Sequence, residues 1–570
     1  MVNCIMSNHT HKVKIMKKIN EIKTRDDLAI FLDMPLKKLT YILYVKKTEN
    51  YYKTFEIPKK NGEPRQINAP QDDLKEVQRK LANALWKYHE EYSKTNDIHM
   101  NVSHAFEKKK GIITNAVIHR NKRFVLNMDL ENFFDSFHFG RVRGFFEKNR
   151  EFNFPIEVAT VIAQLTCYEG CLPQGAPSSP IVTNLICNIL DKRLLKISRK
   201  YRLDYTRYAD DMTFSTNDSK FIEFKEAFLK EITKEIEKAG FLVNNNKTRL
   251  VFRDSRQEVT GLVVNKKINV NREYYKKTRA MAESLYRQGE FKINNCDGTI
   301  KQLEGRFAFI NQLDRYNNIE KSEHEKNKNA RNFKGREKQY QQFLFYKYFY
   351  ANSKPLIITE GKTDISYLKA ALKKNYNKYP KLITKNGENF EFHVSFLRRT
   401  KRLKFFLGIQ IDGADSMSNI YNLYCGKNNF PNLYEHFTKK GSLSPNYPVI
   451  LVFDNEQETE RPLKKFTNHA RITQKPLQSG YNICENLYLI TNPLVKGKKE
   501  CEIEDLFEDS VLSHTIGGKE FSRNSDFDEN KYYGKAIFSE YIMKNYNTID
   551  FSEFTPMLDE LNTVISGDRK

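Results

Sequence analysis

The sequence predicts a multidomain protein that combines an α+β region with a later α/β region built on a parallel sheet. Two short runs rich in Tyr, Thr and Phe flank Asp210, a pattern typical of a β-hairpin. Two nearly continuous apolar runs, at 355–359 and 448–453, have the composition of strands buried on both faces. The length of 570 residues allows two or more domains with sizeable cores.

The first element that carries chemistry is the hairpin turn Tyr208-Ala209-Asp210-Asp211. Adjacent carboxylates repel each other, and a divalent metal bound to a phosphate substrate would offset that repulsion. A solvated Asp-Asp turn is also common, so the hairpin alone leaves a purely structural turn open. Asp129 follows the apolar run 125–128 and is predicted to end a strand. If this strand pairs beside the hairpin, three carboxylates converge and could hold two Mg²⁺ ions about 3.5–4 Å apart.

The loop 172–180 lies between these acids in the sequence and reads Leu-Pro-Gln-Gly-Ala-Pro-Ser-Ser-Pro. Its small residues let the backbone approach a ligand closely, and its prolines stiffen the entry. An apolar run at 181–190 then predicts a helix. An ordinary loop before a core helix is the plain alternative, but the order of strand, loop, helix and Asp-Asp hairpin is specific.

This order resembles the palm of reverse transcriptases, which have a right-hand polymerase fold of fingers, palm and helical thumb. Four further motifs narrow the resemblance to the retron reverse transcriptases over roughly residues 25–345. They are the fingers segment 65–70 (Arg-Gln-Ile-Asn-Ala-Pro), the Asn-Ala-x-x-His motif at 115–119, the palm loop 240–247 and the Val-Thr-Gly motif at 259–261.

The resemblance implies a role for each matching residue. Asp129 and Asp210 bind two Mg²⁺ ions, and Asp211 supports them. Phe134 stands where an aromatic ring excludes the ribose 2′-hydroxyl. The remaining residues that bind substrate are Arg65 at the triphosphate of a dNTP, Gln174 and Gly175 at the nucleotide and template, Lys247 of the palm loop, and Asn115 and His119 of the retron motif.

His119 has two open interpretations. A histidine near a nucleotide hydroxyl could act as a general base. A histidine that only hydrogen bonds within the fold is equally consistent with the sequence.

The later region resembles a Toprim domain, an α/β metal-binding module. Glu360 and Asp364 match its Glu-Gly-x-x-Asp segment. Asp454-x-Glu456 stands where the usual motif is Asp-x-Asp, and Glu is still a competent Mg²⁺ ligand. Glu504, in the stretch 502–507, resembles a later acidic motif of OLD-type nucleases, although an acid cluster at a helix start is the alternative. The resemblance implies Mg²⁺ or Mn²⁺ at these carboxylates.

Composition agrees with a nucleic-acid enzyme. The chain has 95 Lys and Arg against 71 Asp and Glu, a formal net charge of +24, and such a field attracts polyanions. No long apolar run predicts a membrane span, and the start lacks the apolar core of a signal peptide. The 8 cysteines are scattered without paired zinc-ligand spacing, so we expect reduced thiols and a cytoplasmic location in a bacterium.

The predicted domains are fingers and palm at 1–272, a helical thumb and polar linker at 273–349, and a Toprim-like nuclease domain at 350–570. The linker is the very polar stretch 321–338. Fused retron proteins have this order. The resemblance therefore implies branched msDNA synthesis from a partner noncoding RNA (msr–msd), with a nuclease effector that attacks a nucleic acid in antiphage defence. Homo-oligomer formation stays open.

The alternative is a reverse transcriptase of a mobile element, such as a group II intron type, with a non-catalytic RNA-binding C-terminal domain. Metal-dependent cleavage by the C-terminal region would distinguish the two hypotheses.

Overall fold

The structure is a computed structural model, and it describes residues 22–58, 62–96, 101–318, 329–414, 417–458, 460–473, 480–495, 497–524 and 526–567. The part of the predicted polar linker before residue 329 lies outside these residues. The chain divides into two compact units, Met1–Asn271 and Arg272–Lys570. The predicted boundary near 349 falls inside the second unit, and the three-part division stays a prediction.

The strands of the first unit form one sheet of four strands and two hairpins. They are β1 Tyr52–Pro58, β2 Pro64–Pro70, β3 Phe124–Asp129, β4 Asp204–Tyr208, β5 Asp211–Thr216, β6 Arg249–Phe252, β7 Glu258–Val259 and β8 Leu262–Val263. The sheet has the order β4-β5-β3-β6, with every neighbouring pair antiparallel. The central strand β3 is therefore paired on both sides, which agrees with its apolar sequence.

The helices of this unit pack around the sheet. They are α1 Arg25–Phe31, α2 Leu36–Thr40, α3 Asp72–Thr95, α4 Ile112–Ile118, α5 Phe139–Lys148, α6 Ile156–Thr166, α7 Ser179–Lys200 and α8 Phe221–Lys238. Helix α7 includes the predicted run 181–190, and Pro180 lies in its first turn, where a missing N–H costs nothing. Phe214 of the sheet and Phe228 of α8 are fully buried, with ring centroids 5.2 Å apart.

The second unit opens with three helices, α9 Arg272–Gln288, α10 Ile300–Asn318 and α11 Gly335–Phe345. They agree with the helical pattern predicted for this stretch. Aromatic residues pack these helices together and against the rest of the unit: Phe307 of α10 lies 5.0 Å from Phe343 of α11, and Tyr286 of α9 lies 4.9 Å from Phe437. These helices therefore share one hydrophobic core with the sheet of the second unit.

That sheet has five strands in the order β14-β11-β15-β17-β16. The strands of the second unit are β9 Lys292–Ile293, β10 Cys296–Asp297, β11 Leu356–Thr359, β12 Ile383–Asn386, β13 Asn389–Phe392, β14 Ser395–Phe396, β15 Val449–Phe453, β16 Tyr481–Cys484, β17 Leu487–Thr491, β18 Glu520–Phe521 and β19 Tyr532–Tyr533. Strands β11, β14, β15 and β17 are parallel, and β16 alone is antiparallel at the edge. The predicted parallel sheet is confirmed.

Further helices cover this sheet. They are α12 Asp364–Lys374, α13 Lys401–Leu407, α14 Ser418–Cys425, α15 Leu433–Lys439, α16 Pro462–Ala470, α17 Asp509–Leu512, α18 Lys535–Lys544 and α19 Thr555–Ser566. Strands β11 and β15 are buried along their whole length, as expected for a sheet with helices on both faces. Among the described residues, none of the helices is both long and apolar enough to cross a bilayer.

Candidate active site

The carboxylates of the first unit meet because of strand register. Strands β4 and β5 form a hairpin in which Tyr208 pairs with Asp211, so Asp210 lies in the two-residue turn. On the other side of β5, Asp129 pairs directly with Asp211. Opposite residues of an antiparallel pair have Cβ atoms about 4.5–5.5 Å apart. The two carboxylates therefore stand side by side on one face of the sheet.

The backbone around Asp129 is fixed on both sides. The N–H of Leu130 donates to the carbonyl of Asp210 at 3.1 Å, and the N–H of Asn244 donates to the carbonyl of Asp129 at 2.8 Å. These bonds connect the end of β3 to the hairpin turn and to the loop that carries Lys247.

Ala209 gives the turn its shape. It has φ 57°, a left-handed conformation that is rare for a residue with a side chain and costs on the order of 1–3 kcal/mol. The Arg207 guanidinium holds this turn, because its Nη1 donates to the carbonyl of Ala209 at 3.2 Å. Arg207 has no solvent exposure and pairs with Asp191 of α7, with Nη2–Oδ2 2.8 Å and Nε–Oδ1 2.9 Å.

Other buried polar groups complete this support. The Tyr205 hydroxyl donates to Asp191 Oδ1 at 2.9 Å. Asn184 Oδ1 accepts from the Ser103 hydroxyl at 3.1 Å and from Arg207 Nη2 at 3.4 Å. Buried charges need such complete pairing to be tolerated. The sequence analysis missed this network; the only signal for it was an Arg inside a strand beside the Asp-Asp pair.

The acids of the turn are electrostatically crowded. The Asp211 side chain is open to solvent, yet the surrounding protein desolvates its carboxylate and raises its pKa to about 7, with Asp210 and Asp129 adding to the shift. Desolvation also raises the pKa of Asp210. Lys247 offsets this crowding, since its Nζ lies 2.9 Å from Asp129 Oδ1, and that bond raises the pKa of the ammonium.

A divalent metal fits this donor set chemically. Within the described parts of the chain, no three His, Cys, Asp or Glu side chains are arranged to hold a metal ion by themselves. Mg²⁺ commonly takes only one or two carboxylates and completes its shell with water and substrate phosphates. The carboxylates attract positive charge, since the ammonium of Lys247 already pairs with Asp129. Asp129, Asp210 and Asp211 are the residues that would hold the metal.

The loop 172–180 packs against the β1–β2 hairpin. The N–H of Asn68 donates to the carbonyl of Gln174 at 2.8 Å. Gly175 has φ 119°, and a Cβ there would lie 2.8 Å from Ile67 Cγ2 and 3.0 Å from the carbonyl oxygen of Asn68. Only glycine fits this close approach of the loop to β2.

Arg65 belongs to the same neighbourhood. It is exposed on β2, and its charge acts on Asp210 to lower the pKa that burial raises. Phe134 is half-buried in the turn after β3, edge-on to the buried Phe133 with ring centroids 5.4 Å apart. Phe133 therefore fixes the position of the ring that the resemblance assigns to sugar selection.

His119 lies at the other end of the same sheet face. Its ring nitrogens contact the hydroxyls of Ser215 at 2.7 Å and Thr206 at 2.8 Å, and burial lowers its pKa to about 3. Ser215 is four residues along β5 from Asp211, about 14 Å at roughly 3.4 Å per residue. With both nitrogens engaged and this separation, the geometry favours the structural interpretation of His119.

The two retron-type motifs lie next to each other. Thr260 and Gly261 form the β7–β8 turn, and the Thr260 hydroxyl donates to the carbonyl of Ile112 at 3.3 Å, in the first turn of α4. Helix α4 also carries Asn115, whose side chain is 1% exposed and forms no hydrogen bond within the described residues. Asn115 thus faces the protein interior.

In the second unit, acids gather where parallel strands end. Glu360 follows β11 and Asp454 follows β15, and these strands are neighbours in register. The N–H of Asp454 lies 3.3 Å from Glu360 Oε1. Asp454 Oδ1 also accepts from Asn492 Nδ2 at 2.6 Å and from the N–H of Ile503 at 2.9 Å. Burial raises the pKa of Glu360 to about 8 and raises that of Asp454 strongly.

Glu504 joins this edge from a short 3₁₀ turn, Ile503–Leu506. Its side chain has no exposure; Oε1 pairs with Lys535 Nζ at 3.1 Å, and Oε2 has no partner among the described residues. Burial raises its pKa despite Lys535. Asp364 Oδ2 accepts the N–H of Gly361 at 2.7 Å. An orphaned carboxylate oxygen beside other acids fits a site that a divalent cation would complete.

Glu456 pairs with a basic residue, and its charge also acts on Glu360. It is 7% exposed, and its Oε1 pairs with Arg461 Nη1 at 3.2 Å. Two basic residues that the sequence analysis did not single out complete the surroundings. They are Lys535, which pairs with Glu504, and Arg399, whose charge acts on both Glu360 and Asp364. Neither follows a local motif, so folding alone brings them there.

Comparison with known proteins shows the family to which the chain belongs. The model of the family "Reverse transcriptase (RNA-dependent DNA polymerase)" matches residues 57–279. Among curated proteins, the chain is 33% identical to the retron Ec86 reverse transcriptase of Escherichia coli, over 46% of this chain and 77% of that protein. It is 31% identical to the retron Mx65 reverse transcriptase of Myxococcus xanthus, over 51% and 68%. The chain belongs to the retron reverse transcriptases.

The matches cover only part of this chain and part of each relative. The chain is also 30% identical to the retron Mx162 reverse transcriptase of Myxococcus xanthus, of which it spans 65%, and this match covers 52% of the present chain. Among solved structures, a Candida albicans telomerase complexed with a telomeric RNA fragment overlaps with 47% of this retron reverse transcriptase and 56% of that chain, at 13% identity and a TM-score of 0.30. The sequence relatives, and not this structural overlap, carry the assignment.

Proposed function

We propose that the first unit is an RNA-directed DNA polymerase that copies a structured noncoding RNA into branched msDNA. The observation that carries this proposal is the register of Asp129 against Asp211, with Asp210 in the adjoining turn. Asp129, Asp210 and Asp211 would hold two Mg²⁺ ions, which would supply Lewis acidity for an in-line phosphoryl displacement. Arg65 and Lys247 place positive charge near the same acids, where the triphosphate of a dNTP binds.

The protein side chains then act by positioning. Gln174 and Gly175 press against β2 and shape the nucleotide pocket. Phe134 closes the space beside the sugar, so a 2′-hydroxyl clashes and dNTPs are preferred. Arg207 holds the backbone of the turn through Ala209 and does not touch substrate.

Expression of the full chain with its neighbouring noncoding RNA tests the polymerase. We expect branched DNA from the wild-type chain and none from Asp210→Asn/Asp211→Asn. Persistence of the branched DNA in this variant would contradict the assignment of the polymerase site to these carboxylates. Lys225→Gln, a change on the surface of α8, is the control that should leave synthesis intact.

We further propose that the second unit is a Toprim-like, metal-dependent nuclease that acts in antiphage defence. The support is the meeting of Glu360 and Asp454 at the carboxyl ends of adjacent parallel strands, where such sheets bind ligands. Asp364 and Glu504 complete the acids, and Glu504 contributes an oxygen with no partner among the described residues. Mg²⁺ or Mn²⁺ at these residues would activate a water molecule for attack on a phosphodiester bond.

The nuclease has its own test. Glu360→Ala should abolish toxicity upon phage infection and leave msDNA intact, because its carboxylate belongs to the second unit only. Unchanged toxicity would instead favour a non-catalytic C-terminal domain that binds RNA. Loss of metal-dependent cleavage in Asp454→Ala distinguishes these two outcomes with purified full-length protein.

A further inference from the structure

A cavity of about 640 Å³ opens on the first unit, away from the palm carboxylates. It lies between the C-terminal half of α3, the loop 103–109, the α5–α6 loop and α7. The face of α7 that lines it carries Leu185, Asn188, Ile189 and Lys192, at the i, i+3, i+4, i+7 spacing of one helix face. Asp191 lies off this face and pairs with Arg207.

The cations of this cavity are available for a ligand. Each lining acid has a partner within the protein: Glu90 has Lys94 at 3.0 Å, Glu107 has Lys110 at 2.6 Å, and Glu151 has His89 at 3.0 Å. The other lining cations form no hydrogen bond or ion pair within the described residues, and all are exposed; they are Lys108, Lys109, Arg150 and Lys192. The cavity therefore offers unpaired positive charge at its rim.

The interior offers different chemistry. Trp86, the single tryptophan of the chain, and Tyr92 are half-buried in the lining. Asn149 and Asn188 add amide groups, each with one contact inside the protein: Asn149 Oδ1 accepts from the N–H of Glu151 at 2.9 Å, and Asn188 Nδ2 lies 3.4 Å from His89 Nε2. Aromatic rings stack on bases, amides bind base edges, and unpaired cations bind phosphates. A volume near 640 Å³ is in the range of pockets that hold a molecule of nucleotide size.

We propose that this cavity binds a nucleotide of a single-stranded nucleic acid, with its base against Trp86 and its phosphates at Lys108, Lys109 and Lys192. Bases inside a duplex are stacked on each other and cannot enter such a pocket. The inference rests on the proposed polymerase function, which supplies both candidate strands, the partner RNA and its DNA product. The cavity anchors that strand outside the polymerase cleft.

Fluorescence anisotropy with the full-length chain tests the site. The probes are fluorescein-labelled 12-nucleotide oligouridylate, its DNA counterpart and a 12-base-pair RNA duplex. The cation variant is Lys108→Gln/Lys109→Gln/Lys192→Gln, and the stacking variant is Trp86→Leu. The control, Lys220→Gln/Lys230→Gln/Lys234→Gln, makes the same charge change at lysines of and beside α8.

Each pocket variant should weaken single-strand binding about tenfold, since stacking and phosphate contacts each contribute on that scale. The cation variant should also lower the slope of log Kd against log salt by about 2, at roughly 0.7 per phosphate contact. The control should change neither quantity, and duplex binding should be equal in all variants. The strand that loses more affinity, RNA or DNA, identifies the source of the nucleotide.

Unchanged single-strand binding in both pocket variants, or an equal loss in the control, overturns the proposal. Primer extension by the same preparations keeps the two hypotheses apart. If the wild-type chain binds the oligonucleotides but extends no primer, the polymerase proposal is contradicted. If the pocket variants extend primers and keep full single-strand affinity, the nucleotide-binding role of the cavity is contradicted. Circular dichroism verifies that Trp86→Leu is folded, and the cation variant tests the site without altering the interior.

Discussion

The Arg207 guanidinium and the Asp191 carboxylate form an ion pair with no solvent exposure, 2.8 Å between Nη2 and Oδ2. Through this pair, helix α7 controls the backbone of the turn that carries Asp210, because Arg207 also donates to the carbonyl of Ala209. The position of the turn that carries the Asp210 carboxylate is thus set by a buried ion pair outside that turn.

Asp191→Asn should lower the free energy of unfolding by about 3–5 kcal/mol, because it leaves the Arg207 charge buried and without its counterion. Urea denaturation of the full chain measures the change. The matched control is Asp73→Asn, which breaks the exposed Lys38–Asp73 pair (2.8 Å) and should change the free energy of unfolding far less, because solvent screens such a pair. Equal effects at the two sites would contradict a supporting role for the buried pair.

Gly175→Ala should reduce nucleotide incorporation about 10- to 100-fold, since the new Cβ displaces the loop from Ile67 and Asn68 and misplaces the nucleotide. Single-nucleotide primer extension measures it. Gly170→Ala is the control for backbone strain, because Gly170 also has a positive φ (+81°) but a Cβ added there would meet no atom within 4 Å. If both variants lose activity alike, the close approach is not the cause.

Phe134→Ala should relax sugar selection. Removing the ring opens the space beside the 2′ position, so the preference for dNTP over rNTP should fall roughly 10- to 100-fold. The ratio of kcat/KM for dGTP and GTP on one primer–template measures this. Phe139→Ala, a half-buried ring of α5, is the control. A ratio that stays constant in Phe134→Ala would assign sugar selection to another residue.

Stability of the first unit should fall in acid because of His119. Its folded pKa is about 3, whereas an unfolded histidine has a pKa of about 6.5. Between these values the unfolded chain binds a proton that the folded chain refuses, so the free energy of unfolding decreases as pH falls, by about 1.4 kcal/mol per pH unit. His104, with a pKa lowered to about 4, adds in the same direction.

Denaturation at pH 7.5 and 5.5 checks this. His119→Asn should flatten the pH dependence by one proton, even though it costs stability at both pH values. A slope that is equal in His119→Asn and the wild type would show that this histidine takes up its proton in the folded state.

Metal binding by the second unit should strengthen with pH. The raised pKa of Glu360, about 8, keeps its carboxyl protonated at neutral pH, and a metal must displace that proton. Calorimetric titration of Mn²⁺ into Asp210→Asn/Asp211→Asn should show affinity rising as pH increases from 6.5 to 8.5. Glu360→Gln in the same background should reduce this pH dependence by the one proton that Glu360 holds, and the raised pKa of Asp454 should leave the remainder. Equal pH dependence with and without Glu360 would contradict the assignment.

Local patterns in the sequence predicted much of this molecule. Asp129 beside Asp211, the helix after the loop 172–180 and the parallel strands before Glu360 and Asp454 all follow from strand composition and turn chemistry. Each depends on residues close together in the chain or on the few ways in which strands pair.

Long-range polar pairs could not be predicted in this way. Asp191 reaches Arg207 from a helix, and Lys535 reaches Glu504 from another, with no motif connecting either pair. The sequence also did not show that helices α9–α11 share one core with the later sheet. An aromatic residue such as Tyr286 does not indicate from its type alone that it packs against Phe437. Such contacts are decided by the packing of the whole unit.

The pairing of Asp129 with Asp211 also limits how this chain can evolve. Side chains alternate between sheet faces, so inserting or deleting one residue within β3 would send Asp129 to the opposite face, whereas the same change in a surface loop would leave it in place. Natural variants should therefore differ in the length of surface loops, while the number of residues in β3 and β5 stays constant. Length polymorphism inside either strand would mark an inactive polymerase.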